Sequence, residues 1–386
     1  MDFRNRKAIY LTTLVITFLF ALALQMTLPT MPIYLTTFDL PLRWIGLIAS
    51  LLSLSALASR PLCAWLIHRL DAIWVGVIGA VSYLTVYLVF AFSPDPIWIV
   101  FARILQGIGI CFVSTSTATL ISRSLSDEEL LKGMGTYAIF NQASSAIGPY
   151  LGMLMIVGDQ FTRMFVATAI LAFLGTALFI VLRFQSEKIE VEVEEIVKAK
   201  LPIYKTRALF PSLVVMVLLF LQSGMANFLS FFARQQGIPN VGFFFLVSFL
   251  GLLVARVLTT RIMAHYRLPS VFVAIGSLYA LMFLGLTVTG SVVMWGLLAI
   301  VQGFCHNFLY VVLNTMVVRH VGYHEKASAN VLFFAFSDIG YFFGGLIWGA
   351  VADAFSYDAT IYGSALVIFI GMSLAATVSK VKNYGV

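Results

Sequence analysis

The sequence predicts an all-α polytopic membrane protein, with twelve spanning helices in two pseudo-symmetric bundles of six. Three observations carry that expectation. Of 386 residues, 61% are hydrophobic and only 11% are charged, against about 45–50% and about 25% in soluble domains. Basic residues collect in alternate loops, and polar landmarks recur at a nearly constant offset. Mean hydropathy is +0.98. A water-facing surface so poor in charge would expose large apolar patches, so lipid is the solvent that fits.

A span needs about 20 apolar residues to cross a core about 30 Å thick, and the apolar runs supply twelve such stretches in order. The first, 8–35, follows the short basic segment Met1–Lys7 and lacks an A-x-A-like cleavage site, so it is expected to stay as a span. The second and third, 43–67 and 73–92, are joined by a basic connection running from Arg60 to Asp71. The fourth, 97–122, carries an internal arginine, and the fifth, 134–156, a proline flanked by glycines. After the sixth, 164–184, comes the longest polar stretch, 185–207, whose run EKIEVEVEEIVKAK reads as a solvated linker with helical tendency. Spans at 208–232, 241–262, 269–289, 291–318, 328–351 and 359–379 complete the set. The expected organisation is therefore a bundle over 1–184, a cytoplasmic linker over 185–207 and a second bundle over 208–386.

Charge placement sets the expected orientation. The net charge of +7 and pI near 9.3 do not mark a nucleic-acid binder, because the basic residues sit at helix ends and in alternate loops. With the N-terminus inside, 20 of 24 Lys and Arg lie at the cytoplasmic face. Arg43, Arg163 and Arg234 fall outside, and Arg103 lies within a span. Both termini are then cytoplasmic in a multi-pass protein of the cell membrane. Cys63, Cys111 and Cys305 lie in apolar runs without paired spacing and read as small core hydrophobes. No Walker loop, metal cluster or nucleophile triad suggests an enzyme or a bound cofactor.

An offset of 196 brings Gly46 onto Gly242, Arg60-x-Leu62 onto Arg256-x-Leu258, Gln106-Gly107 onto Gln302-Gly303, and Arg123 onto Arg319. At 192, Gly148 and Gly152 meet Gly340 and Gly344. Several coincidences on nearly one diagonal predict two six-helix halves in parallel orientation, an architecture that in transporters binds substrate between the halves near the midplane.

Three stretches resemble motifs of the major facilitator superfamily, and more closely its twelve-helix drug:proton antiporter branch. The fourth span, Phe-Ala-Arg103-Ile-Leu-Gln106-Gly107-Ile-Gly109, is similar to the family's R-x-x-Q-G-x-G. The resemblance implies proton coupling at Arg103. A purely structural arginine held by backbone carbonyls of the first span is the alternative, since an intramembrane charge must be paired or solvated. Gly148-Pro149-Tyr-Leu-Gly152 resembles the G-P-x-x-G core of the antiporter motif, with Ser144 in place of its upstream glycine, and implies a gating helix; a simple packing kink is the other reading. The connection Arg60-Pro61-Leu62-Cys63-Ala64-Trp65-Leu66-Ile67-His68-Arg69-Leu70-Asp71 partly matches the signature loop G-x-L-a-D-R-x-G-R. His68 replaces its aspartate, Asp71 stands where its second glycine belongs, and the closing arginine is missing. In the family that aspartate latches the cytoplasmic side by facing a helix N-terminus. Asp71, three residues on from His68, is the remaining acid that faces the same way if the helix continues. Gly107, Arg60, Arg69 and Arg256 join the residues expected to matter for conformational change.

Other polar residues stand outside any motif. Asp338 is the one acid placed well inside the bilayer, which makes it a candidate for taking up and releasing the coupling proton; a cap or ion-pair partner at the span end is the alternative. His306 and Asn307 follow Gln302-Gly303, and with Gln25, Asn141, Gln222 and Asn227 they either line a watery cavity or cross-link helices. Of the many aromatics in the second half, Phe228 and Phe304 are candidates for an apolar cavity wall. The expectation is a proton-driven exporter of small hydrophobic or amphipathic molecules, working by alternating access as a monomer among membrane lipids, with no nucleic-acid partner. Alternatives are a transporter of one metabolite (a sugar, an amino-acid derivative or a metal-chelating opine), a lipid translocator, or a sensor that moves nothing.

Overall fold

The computed structural model describes residues 3–92, 95–158, 160–185, 208–238, 240–319 and 326–381. All but the first residue of the 185–207 linker lies outside them. Among the described residues the chain forms thirteen helices. These are α1 (Phe3–Thr27), α2 (Met31–Thr36), α3 (Leu42–Leu70), α4 (Ala72–Phe92), α5 (Pro96–Ser124), α6 (Asp127–Leu154) and α7 (Thr162–Gln185), then α8 (Leu209–Gln235), α9 (Gly242–His265), α10 (Leu268–Thr287), α11 (Val292–Arg319), α12 (Lys326–Ala354) and α13 (Tyr357–Val381).

By length and composition, eleven stretches of the described residues are able to cross a membrane. Each supplies its own backbone hydrogen bonds, as lipid requires. The long helix missing from that set is α6. Its first turns carry Asp127, Glu128, Glu129 and Lys132, and its middle carries Asn141, Gln142, Ser144 and Ser145, which dilute its apolar character.

Two boundaries differ from the sequence expectation. The single run 8–35 is broken into α1 and α2 around Pro29, because proline has no N–H to donate and Pro32 starts the next helix in its first turn. The basic connection after the second span is not a loop. Helix α3 continues through Pro61 to Leu70, and only Asp71 separates it from α4.

Local chemistry explains the other starts. Asp95 caps α5 by accepting from the Ile97 N–H at 2.8 Å, with Pro96 at the first helical position. At the head of α6 the Glu129 carboxylate accepts from the Ser126 N–H at 3.4 Å and its hydroxyl at 3.0 Å, a capping box.

The chain divides into two compact units, Met1–Asp39 with Leu51–Val193, and Leu40–Ser50 with Glu194–Val386. In the first, α4 packs on α5 and α7, and α1 on α5, α6 and α7. In the second, α10 packs on α11 and α13, and α8 on α11, α12 and α13.

Glycines set the closest approaches. A Cβ added to Gly107 would stand 2.2 Å from the Leu52 carbonyl oxygen, and one on Gly303 only 1.8 Å from that of Ser248. Gly152 meets the Met26 carbonyl and Gly344 that of Phe220, each at 2.3 Å from such an atom. No side chain fits at these crossings, so the backbones lie in direct contact.

Aromatic rings fill the remainder of each core. Phe20, Tyr83, Tyr87, Phe90 and Phe165 form a chain of ring contacts in the first unit, with centroids 5.1–6.3 Å apart. In the second unit Trp295 is fully buried between Phe232 and Phe244, and its Nε1–H donates to the Thr289 carbonyl at 2.8 Å. The three cysteines are buried and free.

Candidate functional site

In the first unit the polar centre is built on α5. Arg103 and Gln106, three residues apart, share one helix face, and both are completely buried. The guanidinium Nη1 donates to Gln106 Oε1 at 2.8 Å, and Gln106 Nε2 donates onward to the Tyr87 hydroxyl of α4 at 3.4 Å. The Thr27 hydroxyl of α1 lies beside that of Tyr87. Phe90 places its ring 6.0 Å from the guanidinium carbon, at the outer limit of a cation–π contact. Two hydrogen bonds thus tie a buried cation on α5 to α4, with Thr27 of α1 alongside. Sequence inspection overlooked Tyr87 and Thr27; the available clue was a pair of tyrosines, Tyr83 and Tyr87, one turn apart in an otherwise apolar span.

The second unit has an uncharged counterpart. Gln302 Nε2 donates to Gln222 Oε1 of α8 at 3.3 Å, and the buried Tyr279 hydroxyl lies beside Gln302. Ala299, fully buried, occupies the position that Arg103 holds 196 residues earlier.

The remaining polar candidates are distributed. Asn307 turns back on its own helix, donating to the Gly303 carbonyl at 2.8 Å. The His306 ring stacks on Tyr310 at 6.4 Å, and its buried Nδ1 has no hydrogen-bond partner among the described residues. Asn227 donates to the Ser223 hydroxyl at 3.2 Å and faces Gly345 of α12. Asn141 lies by the Tyr137 hydroxyl, together with Thr117 of α5. Gln25 is half-buried, with its Cβ against Gly148. Phe228 packs on Phe231 and is buried, whereas Phe304 is half-buried against Phe308. Asp338 sits half-buried on α12, two residues before Gly340, which meets the Met216 carbonyl of α8. The two proton-coupling candidates fall in different units, Arg103 in the first and Asp338 in the second.

The gating candidates make packing and capping contacts. Gly148 and Gly152 seat α6 against Gln25 and Met26 of α1, and α6 runs unbroken through the buried Pro149. Ser144, where the family motif has glycine, donates to the Phe18 carbonyl at 3.3 Å. Asp71 has φ of +80°, the left-handed region natural to glycine, which accounts for the glycine at this place in the signature loop. Its carboxylate caps α4 through the Ala72 N–H and lies 3.5 Å from Arg123 Nη1. An anion does therefore face a helix N-terminus here, though it is the helix that Asp71 itself begins. Arg69 is exposed and lies 4.8 Å over the Trp65 ring. Arg60 is half-buried, and Arg256, its counterpart by sequence offset, is exposed. His68 falls within α3, and its side chain lies outside the described residues.

Comparisons with known proteins agree with this architecture. The chain is 22% identical over 346 residues to the staphylopine export protein of Staphylococcus aureus, covering 85% of this chain and 86% of that one. Its fold is similar to that of a bacterial homolog of the human lysosomal transporter Spinster, with a TM-score of 0.78 at 15% identity over 99% of this chain and 97% of the other. It is similar also to a POT family transporter, with a TM-score of 0.80 at 12% identity over 97% and 96% of the two chains. A nucleoside transporter gives 0.76 at 15% identity, over 97% and 99%. The family model described as Major Facilitator Superfamily matches residues 13–299 and 234–383. By that match, and with helices dominating the described residues, the chain belongs to the Major Facilitator Superfamily of membrane transporters.

Proposed function

We propose that this transporter exports small hydrophobic or amphipathic organic molecules in exchange for protons, by alternating access. The observation that carries the reading is Arg103. A guanidinium at zero exposure inside a span is expensive, and such residues mark ion or substrate pathways. Its counterpart position holds Ala299, so the equivalent place in the second unit carries no charge. Asp338 of α12 serves as the proton carrier and Arg103 as the group that responds to it.

In this reading the helices form twelve spans in two related six-helix bundles, supported by matched glycine crossings at Gly107 and Gly303 and at Gly152 and Gly344. The 185–207 segment joins the bundles on the cytoplasmic side of the cell membrane, where both termini lie. The unit of function is one chain, and its energy source is the proton gradient with no bound cofactor. The dense aromatics, Phe228 and Phe304 among them, favour an apolar ligand. A second reading, export of a metal-chelating opine, is favoured by the likeness to the staphylopine exporter.

The test is transport into liposomes with acidic lumens, using a mixed panel of apolar compounds and an opine. Proton exchange predicts substrate accumulation that collapses when the gradient is dissipated. Asp338→Asn should abolish the gradient-driven component while leaving substrate binding measurable. Normal coupling in that variant removes Asp338 from the mechanism, and indifference to the gradient across the panel removes antiport itself.

A further inference from the structure

Where α1 begins, α5 ends and α6 begins, a cavity of about 460 Å³ opens in the first unit. Small-molecule sites span about 300–1,000 Å³, so the space is large enough for a ligand. Among the described residues its wall carries three cations, Arg6, Lys7 and Lys132, against one carboxylate, Glu129. That carboxylate is already committed to Ser126 through the α6 capping box. Among the described residues no acid forms an ion pair with any of the three cations. The Tyr10 hydroxyl donates to the Gly133 carbonyl at 3.4 Å, which ties α1 to α6 across the cavity and fixes the spacing of its walls.

Three cations thus line an open volume, and among the described residues Glu129 is the one acid in the wall with them. A tetrahedral oxyanion answers all three. An arginine fork matches phosphate bidentately, and lysines add mobile point charges. The start of α6 adds the positive end of a helix dipole. Basic pockets at the ends of membrane helices are also placed to take phospholipid headgroups.

We propose that this cavity binds a phosphate group, from the headgroup of an anionic lipid or from a soluble phosphate ester. The site is separate from the Arg103 network and does not rest on the transport reading. Each cation contributes about fivefold in affinity at low salt.

The test uses the full chain purified in detergent and stripped of lipid, in two arms. Native mass spectrometry compares retention of phosphatidylglycerol with phosphatidylcholine, and calorimetric titration uses inorganic phosphate and glycerol phosphate. The triple variant R6Q/K7Q/K132Q should bind about a hundredfold more weakly in whichever arm binds the wild type. Glu129→Gln keeps a capping-box residue but removes a negative charge from the wall, and should bind about fivefold more tightly, a gain that misfolding does not mimic. Binding in the lipid arm alone assigns a headgroup; binding in the phosphate arm alone assigns a soluble ester. Absence of binding in both arms, or wild-type affinity in both variants, overturns the proposal.

Discussion

Replacing Gly107 by alanine puts a methyl group where the fold has no room. The new Cβ would lie 2.2 Å from the Leu52 carbonyl oxygen and 2.0 Å from the Ser55 hydroxyl oxygen. An ordinary contact between such atoms is about 3.4 Å, so α5 must move away from Leu52 by about 1 Å. Overpacking costs about 1–3 kcal/mol, and a clash with backbone, which has no rotamer to yield, belongs at the upper end. Alanine recovers about 1 kcal/mol of helix propensity, leaving a net destabilisation of about 2 kcal/mol. Gly303→Ala should behave likewise, because its methyl group would sit 1.8 Å from the Ser248 carbonyl oxygen. Gly135→Ala is the control. Nothing lies within 4 Å of its added Cβ, so only the propensity gain remains and stability should rise by up to about 1 kcal/mol. Reversible unfolding in mixed micelles would read all three. A Gly107→Ala protein as stable as wild type, or a Gly135→Ala protein equally destabilised, would refute the assignment of these crossings to backbone contact.

Gln106→Ala removes the 2.8 Å acceptor of Arg103 and should cost about 1.5–3 kcal/mol, read by thermal unfolding; Gln106→Glu, which keeps an acceptor, should recover most of it. Asp71→Ala loses a cap and keeps a left-handed φ of +80°, so it should cost about 1–2 kcal/mol, whereas Asp71→Gly relieves the backbone and should cost less in the same measurement. Trp295→Ala empties a fully buried site and should cost about 3–5 kcal/mol, visible as a lower unfolding midpoint. The Arg43–Asp353 pair, at 3.7 Å with the arginine largely exposed, should contribute less than about 1 kcal/mol, so Arg43→Gln should leave the midpoint almost unchanged.

The helices were legible because lipid imposes one rule on every span, and a long apolar run has little else that it can form. Hydropathy cannot see what interrupts such a run. Leu28, Pro29 and Thr30 lie inside an uninterrupted apolar stretch, and only proline's missing donor reveals the break between α1 and α2. The opposite holds from Arg60 to Leu70. Charged and proline residues there resemble a loop, yet they are helical, since at a helix end long side chains run along the surface, as Arg69 does over Trp65. Arg103 was found because a charge in an apolar run is conspicuous. Tyr87, which extends its network, was missed because tyrosine hardly lowers hydropathy and its partner Gln106 lies on another helix. The glycine offsets were visible as a pattern, but their meaning as carbonyl contacts requires coordinates.

The four glycine crossings have a mechanical consequence. Side-chain interfaces slide by exchanging rotamers, one small step at a time. Where one main chain rests on another, as at Gly107, Gly152, Gly303 and Gly344, no rotamer stands between the helices to yield, so any bulkier residue at these four places meets carbonyl oxygen directly. The spacing of these helix pairs is thus gauged by bare peptide groups, and that gauge has no smaller setting.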